Sequence, residues 1–174
     1  MPIFDFCLAF PSTVMFESLN KFIKSCADHS DEEIAFINSL FQHKTIKKKT
    51  LLLREGDICN HEIFVNKGCI RNYYIDKQGA EVTLQFAIEG WWISDISSFH
   101  ERKPSHMFIE TLENCEVLML SYDAKEKLLS QAPKFERMFR LLVQRNLSRL
   151  QEPLFQTIAT TASEKYLDFI ERYP

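Results

Sequence analysis

The spacing of the glycines constrains the fold of this chain more than any other feature of its sequence. The 174 residues contain only four glycines, Gly56, Gly68, Gly79 and Gly90, which follow one another at intervals of 12, 11 and 11 residues. Short strands separated by turns at such intervals are typical of an antiparallel sandwich or barrel, and glycine supplies the backbone conformation that tight turns need. The segment 45–121 is therefore predicted to be a β domain.

The run EVTLQFAI, residues 81–88, has the alternation of a strand. One face of this strand is expected to carry the apolar residues, which are Val82, Leu84, Phe86 and Ile88. The other face is expected to carry Glu81, Thr83 and Gln85. The preceding DKQG, residues 76–79, predicts a hairpin loop, because Asp and Gly favour tight turns.

Two helices are predicted before the β domain. Residues 17–27 place apolar side chains three and four positions apart, which is the spacing of one helix face. A second helix is expected after Ser30, because Glu33 three residues later completes a capping box.

Helical spacing returns after Ser121, where Asp123 is expected to cap a short helix. Pro133 suits the first turn of a long helix that reaches about residue 158, with a kink at Pro153, and a last helix is expected from Thr161. The long helix carries a heptad-like apolar stripe, which consists of Phe139, Val143, Leu147, Leu150 and Leu154. This stripe predicts contact with a second copy of the chain; the alternative is that it packs on the chain's own β domain.

Charge and cysteine usage favour a cytoplasmic protein. The net charge of −3 is not typical of a surface that binds DNA or anionic membranes throughout, and no apolar run is long enough to span a bilayer. The five cysteines contain no Cys-x-x-Cys pair, so they are predicted to be reduced thiols. The basic run at residues 47–49 is interpreted as a solvated strand edge rather than a nucleic-acid patch.

The motifs of common enzymes do not occur. The sequence contains no Gly-x-Ser-x-Gly, P-loop or dinucleotide fingerprint. A cupin-like metal site is the enzyme alternative, but it would need convergent His and carboxylate ligands, and the five histidines form no His-x-His pair. No catalytic residue, metal ligand or cofactor is therefore predicted.

The segment EGWWISDISSFHERKPSHMFIE, residues 89–110, is predicted to form a turn around a ligand. It contains the only two tryptophans, Trp91 and Trp92, and then a loop of small polar residues. In an extended segment the two indoles point in opposite directions, so one is expected in the core and one partly exposed. An indole at a pocket mouth, here Trp92, is a candidate for stacking on a planar ligand. The alternative, which the sequence favours, is plain core packing.

Six segments in order give the chain a family resemblance. They are LLLREGD (51–57), FVNKG (64–68), RNYYIDKQGAE (71–81), EGWWISDISSF (89–99), ENCEVLMLSYD (113–123) and SEKYLDFIERYP (163–174). The chain resembles the sensor half of the Crp/Fnr family of bacterial transcription regulators, in a variant like that of Bacteroidetes-type bacteria. The resemblance implies an α+β, mainly β fold: an antiparallel, jelly-roll-like β-roll (a double-stranded β-helix) flanked by N-terminal helices and a long C-terminal dimerisation helix.

The resemblance also implies a division of the chain. Residues 1–15 are expected to be a poorly ordered tail, and residues 16–132 the cyclic-nucleotide-binding-like domain. Residues 133–174 would hold the dimerisation helix and the start of a connection to a winged helix-turn-helix. DNA is expected as a partner only through that helix-turn-helix, which this sequence does not include.

The resemblance places a phosphate-binding cassette in the segment after Gly90. Its Gly-Glu pair, in which Glu accepts from the ribose 2′-hydroxyl, falls on Ser94 and Asp95. Its phosphate-binding Arg and the following Ser/Thr fall on Ser105 and His106. The hydroxyl pair that meets adenine falls on residues 150 and 151, which are Leu150 and Gln151 here.

Loss of the arginine makes cAMP and cGMP doubtful effectors, because a lost charge-assisted bond costs about 1.5–3 kcal/mol. The cassette is expected either to bind another small molecule, of unknown identity, or to bind nothing. In the second case the chain would be a ligand-free dimerisation or interaction module.

Overall fold

The computed structural model describes residues 15–159. Two helices, α1 (Glu17–Cys26) and α2 (Asp31–Ser39), come first, as the apolar spacing predicts. The strands are β1 (Gln42–Ile46), β2 (Leu51–Leu53), β3 (His61–Lys67), β4 (Ile70–Ile75), β5 (Glu81–Ala87), β6 (Trp92–Ile93), β7 (Phe108–Thr111) and β8 (Cys115–Ser121). Helix α3 (Ile96–Glu101) lies between β6 and β7, and α4 (Tyr122–Gln131) and α5 (Pro133–Ala159) follow β8.

The strands form two four-stranded sheets with jelly-roll connectivity. The first sheet has the order β1-β8-β3-β6 and the second has the order β2-β7-β4-β5. Every pairing is antiparallel, and β3 lies against β8 with Ile63 opposite Met119. This arrangement confirms the predicted antiparallel β-roll with flanking helices.

The core lies between the two sheets. Ile63 of β3, Ile93 of β6 and Ile109 of β7 belong to one buried apolar cluster. Complete burial of each such side chain contributes about 1.5–3 kcal/mol. Phe64, the neighbour of Ile63, is also fully buried, and α1 contacts β3. The first sheet is therefore covered on both of its faces.

The predicted turns are present. All four glycines have positive φ angles, between 80° and 99°. In the 76–79 hairpin, the Gly79 N–H donates to the Asp76 carbonyl at 3.0 Å, and Asp76 Oδ1 accepts from the Ala80 N–H at 2.9 Å. The Asp side chain thus closes the turn that the glycine conformation permits.

The caps agree with the sequence in one helix and differ in another. Ser30 and Glu33 form the predicted capping box of α2. The prediction that Asp123 caps α4 is wrong, because Ser121 is the N-cap and its side chain accepts from the Ala124 N–H at 3.2 Å. Ser121 has the extended backbone that an N-cap requires, whereas Asp123 already lies in the first helical turn.

Strand β5 has the predicted alternation, but much of its apolar face is exposed. Leu84, Phe86 and the following Ile88 are 53%, 54% and 48% exposed, whereas Ala87 on the other face is buried. The alternation correctly predicts a strand and leaves open which face meets the core.

The chain divides into two compact units, of which the first ends at Phe135 and the second begins at Glu136. In the second unit α5 continues through Pro153 to Ala159, close to the predicted end of the long helix. On the predicted stripe, Val143 and Leu147 are exposed and Phe139 is half-buried. The side chains of Leu150 and Leu154, the tail 1–14 and the helix predicted from Thr161 lie outside the described residues. None of the described helices is long and apolar enough to cross a membrane.

Candidate functional site

The predicted cassette is built on the short helix α3. Asp95 precedes this helix with an extended backbone, and its Oδ1 accepts from the Ser98 N–H at 3.1 Å. A short carboxylate in this position satisfies one of the free N–H groups of the first helical turn. Asp95 is therefore the N-cap of α3, and the whole residue is only 4% exposed.

The second carboxylate oxygen of Asp95 is bound by Ser105. The Ser105 Oγ donates to Asp95 Oδ2 at 2.7 Å and accepts from the Met107 N–H at 3.0 Å. Ser105 is 1% exposed, so this bond forms out of contact with water. Both oxygens of the buried carboxylate thus have donors from within the loop, which compensates the cost of its burial.

Ser98 connects the cassette to the loop between β2 and β3. Its buried Oγ accepts from the Cys59 N–H at 2.9 Å and donates to the Lys103 carbonyl. The same β2–β3 loop receives a bond from the Ser105 N–H, which donates to the Asp57 carbonyl at 2.8 Å. The two loops therefore form one hydrogen-bonded structure.

The basic residues near Ser105 are engaged elsewhere. Arg102 has a left-handed backbone, with φ at 55°, and donates to the Cys59 carbonyl at 3.1 Å and to Asn60 Oδ1 at 2.7 Å. Its guanidinium also lies 4.8 Å from the centre of the Tyr122 ring. Lys103 pairs with Glu101 at 2.7 Å. None of these contacts places a cation at Ser105, where the resembled cassette has its phosphate-binding arginine.

Trp92 lies away from the cassette interior. Its ring packs against Phe41 at 6.1 Å and edge-on against Phe64 at 5.4 Å. The next residue, Ile93, belongs to the cluster between the sheets, so Trp92 occupies the opposite face of β6. Trp91 is 38% exposed, so the expected difference between the two indoles is present, with Trp92 more deeply placed.

The remaining predicted site residues are not gathered around Asp95 by any described contact. Ser94 is half-buried between β6 and α3, His106 is exposed, and Gln151 is exposed on α5. The structure brings together Asp95 and Ser105 from the predicted set. Their role in ligand binding remains a prediction.

Sequence reasoning missed Ser98 and Arg102 as the residues that attach α3 to its surroundings. The spacing of Asp95 and Ser98 indicates an N-cap, but it concerns only the backbone N–H of Ser98 and not the bond of its side chain to Cys59, which is 39 residues away in the chain. No signal existed for Arg102 either, whose partners Cys59 and Asn60 are more than 40 residues away in the chain.

A buried ion pair lies beside α3. Lys125 of α4 donates to Glu62 Oε1 of β3 at 2.7 Å, and both residues are buried. The Nε2 atom of His100, in α3, lies 3.4 Å from the Lys125 Nζ. These groups join α3, β3 and α4 in one cluster within the first unit. Across residues 15–159, no group of three or more His, Cys, Asp or Glu side chains is arranged to hold a metal ion.

Comparison with known proteins decides the family. Residues 43–132, more than half of the chain, match the family model described as the cyclic nucleotide-binding domain. The chain belongs to the cyclic nucleotide-binding domain family. This confirms the resemblance to Crp/Fnr regulators that the ordered motifs indicated, and the match contains Asp95 and Ser105.

Similar proteins include bacterial regulators. The chain is 23% identical over 142 residues to the "Anaerobic regulatory protein" of Pasteurella multocida. This match covers 81% of this chain and 51% of that protein. It is 24% identical over 98 residues to the "cAMP-activated global transcriptional regulator CRP" of Salmonella typhimurium, covering 56% of this chain and 46% of that protein. The chain thus spans about half the length of these relatives.

A solved structure shows the same fold. The cyclic nucleotide-binding domain from Methylobacillus flagellatus superposes with a TM-score of 0.70 at 21% identity, and the match covers 84% of each chain. The β-roll architecture is therefore that of the family.

Proposed function

We propose that this chain is the effector-sensing and dimerisation part of a Crp/Fnr-like transcription regulator, and that it is not an enzyme. Membership of the cyclic nucleotide-binding domain family and the names of its relatives support this function. The proposal keeps the predicted division into a sensor domain, residues 16–132, and a helical part, residues 133–174. It assigns no DNA contact to the described residues.

The observation that argues against cyclic nucleotides as effectors is the closed cassette. The resemblance places the ribose-binding carboxylate at Asp95 and the phosphate-binding arginine at Ser105, and here these two side chains bond to each other at 2.7 Å. A cyclic nucleotide would have to break this buried bond and would find no arginine at Ser105. Losing a charge-assisted contact lowers affinity roughly tenfold to 150-fold, so we propose that cAMP and cGMP are not the effectors.

The test is a thermal-shift titration with cAMP and cGMP at millimolar excess. A ligand at 100 times its Kd stabilises the folded state by about 2.7 kcal/mol, which raises the melting temperature of a chain this long by several degrees. No rise is expected for the natural protein. A clear rise would overturn the exclusion of cyclic nucleotides.

A gain-of-binding variant sharpens this test. Ser105→Arg supplies a guanidinium at the cassette and leaves Asp95 Oδ2 without its present donor. We expect this variant to gain a cAMP-dependent thermal shift, provided that its own melting curve shows a folded protein. The matched control is Ser97→Arg, which adds the same charge at an exposed position of α3 and is expected to respond to cAMP as the natural protein does.

The dimer is proposed to form through α5. Val143 and Leu147 are 53% and 57% exposed, four residues apart on one helix face, which supports a helix partner. Sedimentation at tens of micromolar is expected to show a dimer. Leu147→Glu should give a monomer, whereas Gln144→Glu, which changes an exposed position off the stripe, should not. A monomeric natural protein would contradict this part of the proposal.

A ligand-free interaction module is the second candidate function. It is favoured by one observation, namely that both oxygens of Asp95 already have donors without any ligand. This candidate predicts a dimer that responds to no small molecule.

The cysteines support a location for the protein. The four described cysteines are free thiols. Free thiols are typical of a reducing compartment, so we propose that the protein is cytoplasmic.

A further inference from the structure

A cavity of about 350 Å³ lies beside the β2–β3 loop and opens between the two sheets. Its volume is near the lower end of the range for small-ligand pockets, about 300–1,000 Å³, and far above the roughly 30 Å³ of one water molecule. The half-buried Leu52 and Ile58 supply its accessible apolar surface. Leu53 of β2, Ile63 of β3, Ile109 of β7 and Met119 of β8 also line it and are only 1–7% exposed. None of the predicted cassette residues lines the cavity, so it is separate from the cassette.

The polar side chains of this cavity lie on the β2–β3 loop and the start of β3. They are Asp57, Asn60 and His61, together with the buried Cys59. Burial lowers the pKa of His61, and the positive charge of Lys44 lowers it further. Burial also raises the pKa of the Cys59 thiol, whose Sγ donates to the His61 carbonyl at 3.4 Å. Burial thus disfavours the charged form of both groups.

The charges around the cavity favour an uncharged occupant. The lining contains one acidic residue, Asp57, and no lysine or arginine, so a phosphate or carboxylate finds no counter-ion there. Arg102 lies outside the lining, and its guanidinium is already bonded to the Cys59 carbonyl and to Asn60 Oδ1, so it is not free to pair with an anion. The positive charges of Arg102 and of Lys44, which acts on His61, oppose the entry of a cation. The Asp57 carboxylate, which is exposed, offers an acceptor to a hydroxyl or N–H donor.

The cavity shares a wall with the cassette. The loop that supplies Asp57 and Cys59 to the cavity also bonds to Ser105 and Ser98, at 2.8 Å and 2.9 Å. An occupant held against this loop would therefore act on the residues that close the cassette.

We propose that this cavity is a binding site for a compact, uncharged molecule with an apolar body and one hydrogen-bond donor directed at Asp57. The apolar body would lie mainly on Leu52 and Ile58, with Ile63, Ile109 and Met119 in the same lining. The regulatory meaning of the site rests on the proposed sensor function, because only a sensor would use the shared loop to transmit occupancy. The binding itself is tested separately.

The test is a methyl NMR titration of the whole chain with three probes of similar size. Indole has an apolar body and an N–H donor, benzofuran has the same shape without the donor, and indole-3-carboxylate adds a negative charge. Saturable shifts at the methyl groups of Ile63, Ile109 and Met119 are expected for indole. Benzofuran should bind about tenfold more weakly, the effect of one lost hydrogen bond to a charged group, and indole-3-carboxylate more weakly still.

Variants establish where the probe binds. Leu52→Trp and Ile58→Phe enlarge two half-buried lining residues and are each expected to abolish the shifts. Asp57→Ala should remove the preference for indole over benzofuran. The matched control is Leu84→Phe, which enlarges an exposed side chain on β5 outside the cavity and should leave binding unchanged.

Four outcomes would overturn the inference: no saturable shift with any probe, shifts at methyl groups away from the cavity, binding that survives both enlarging variants, or equal affinity for indole and indole-3-carboxylate. These outcomes are distinct from failure of the proposed function. That failure would appear as a monomeric natural protein in sedimentation, or as a thermal shift of the natural protein with cAMP.

Discussion

Ser105 Oγ donates a 2.7 Å hydrogen bond to Asp95 Oδ2, ten residues away in the chain, and both residues are almost completely buried. The bond joins the start of α3 to the segment before β7, so it closes the cassette at both ends. Because Ser98 donates to the other carboxylate oxygen, the anion is satisfied entirely from within the protein. A cassette of this kind is stable without a ligand.

Replacing Ser105 by alanine is expected to destabilise the protein by about 1–3 kcal/mol, because Asp95 Oδ2 would remain buried without its donor. The measurement is chemical denaturation of the variant and the natural protein. Ser97→Ala, at an exposed position of the same helix, is the control and should stay within about 0.5 kcal/mol of the natural protein. Equal losses in the two variants would show that the Asp95 bond contributes little.

The turns of the roll could be predicted from the sequence because their causes are local. Gly79 and Asp76 lie in one tetrapeptide, and together they specify a hairpin whichever strands flank it. The capping box of Ser30 and Glu33 is equally local. The cap of α4 was predicted wrongly because Ser121 and Asp123 are both good N-cap residues, and only the end of β8 decides between them.

The candidate site could be predicted only as a set of residue types. The family resemblance indicates Asp95 and Ser105 as cassette residues. Their hydrogen bond to each other depends on how the loop between them folds back, and no rule of residue spacing predicts that fold. Trp92 shows the limit of alternation, because the pattern separates the two indoles without telling which side of β6 meets the helices. The cavity beside Asp57 is lined from both sheets, so it appears only when the strands are assembled.

The buried pair of Lys125 and Glu62 gives a second prediction. Lys125→Ala would leave the Glu62 carboxylate buried beside His100 without its 2.7 Å partner, and we expect a loss of about 3–5 kcal/mol. The double variant Lys125→Met with Glu62→Leu should recover most of this loss, since two apolar side chains of similar size need no counter-charge. Denaturation of the single and double variants measures both effects.

Glu126→Gln, on an exposed position of α4, is the control for this pair and should change stability by less than about 0.5 kcal/mol. If the double variant were as unstable as Lys125→Ala, packing rather than the unpaired charge would account for the loss.

Gly68 and Gly79 provide a matched comparison of packing at positive φ. Their φ angles are 99° and 84°, so alanine is strained at both positions. A Cβ at Gly68 would lie 2.7 Å from the Cys115 Sγ and 2.9 Å from the Asn114 carbonyl oxygen, whereas a Cβ at Gly79 meets nothing within 4 Å. Gly68→Ala is therefore expected to cost about 1–3 kcal/mol more than Gly79→Ala, as overpacking does. Equal costs, measured by thermal denaturation, would show that the backbone of Asn114 and the side chain of Cys115 move aside freely.

The buried imidazole of His29 makes stability depend on pH. Its side chain is fully buried, and neither ring nitrogen has a hydrogen-bond partner among the described residues. Burial lowers the pKa of His29, and the charge of Lys134 lowers it too, against the opposing charges of Glu33 and Asp28. The unfolded chain, with an ordinary histidine pKa of about 6.5, therefore takes up a proton at a higher pH than the folded chain does.

Stability is consequently expected to fall as the pH drops below about 6.5, until the folded-state pKa of His29 is passed, and His61 contributes in the same direction. His29→Leu should reduce the decline in melting temperature between about pH 7.5 and pH 5 without removing it, because His61 remains. His106→Gln, at an exposed position, should leave the decline unchanged. If His29→Leu and the natural protein lost the same number of degrees over this range, the burial of His29 would not be the source of the acid sensitivity.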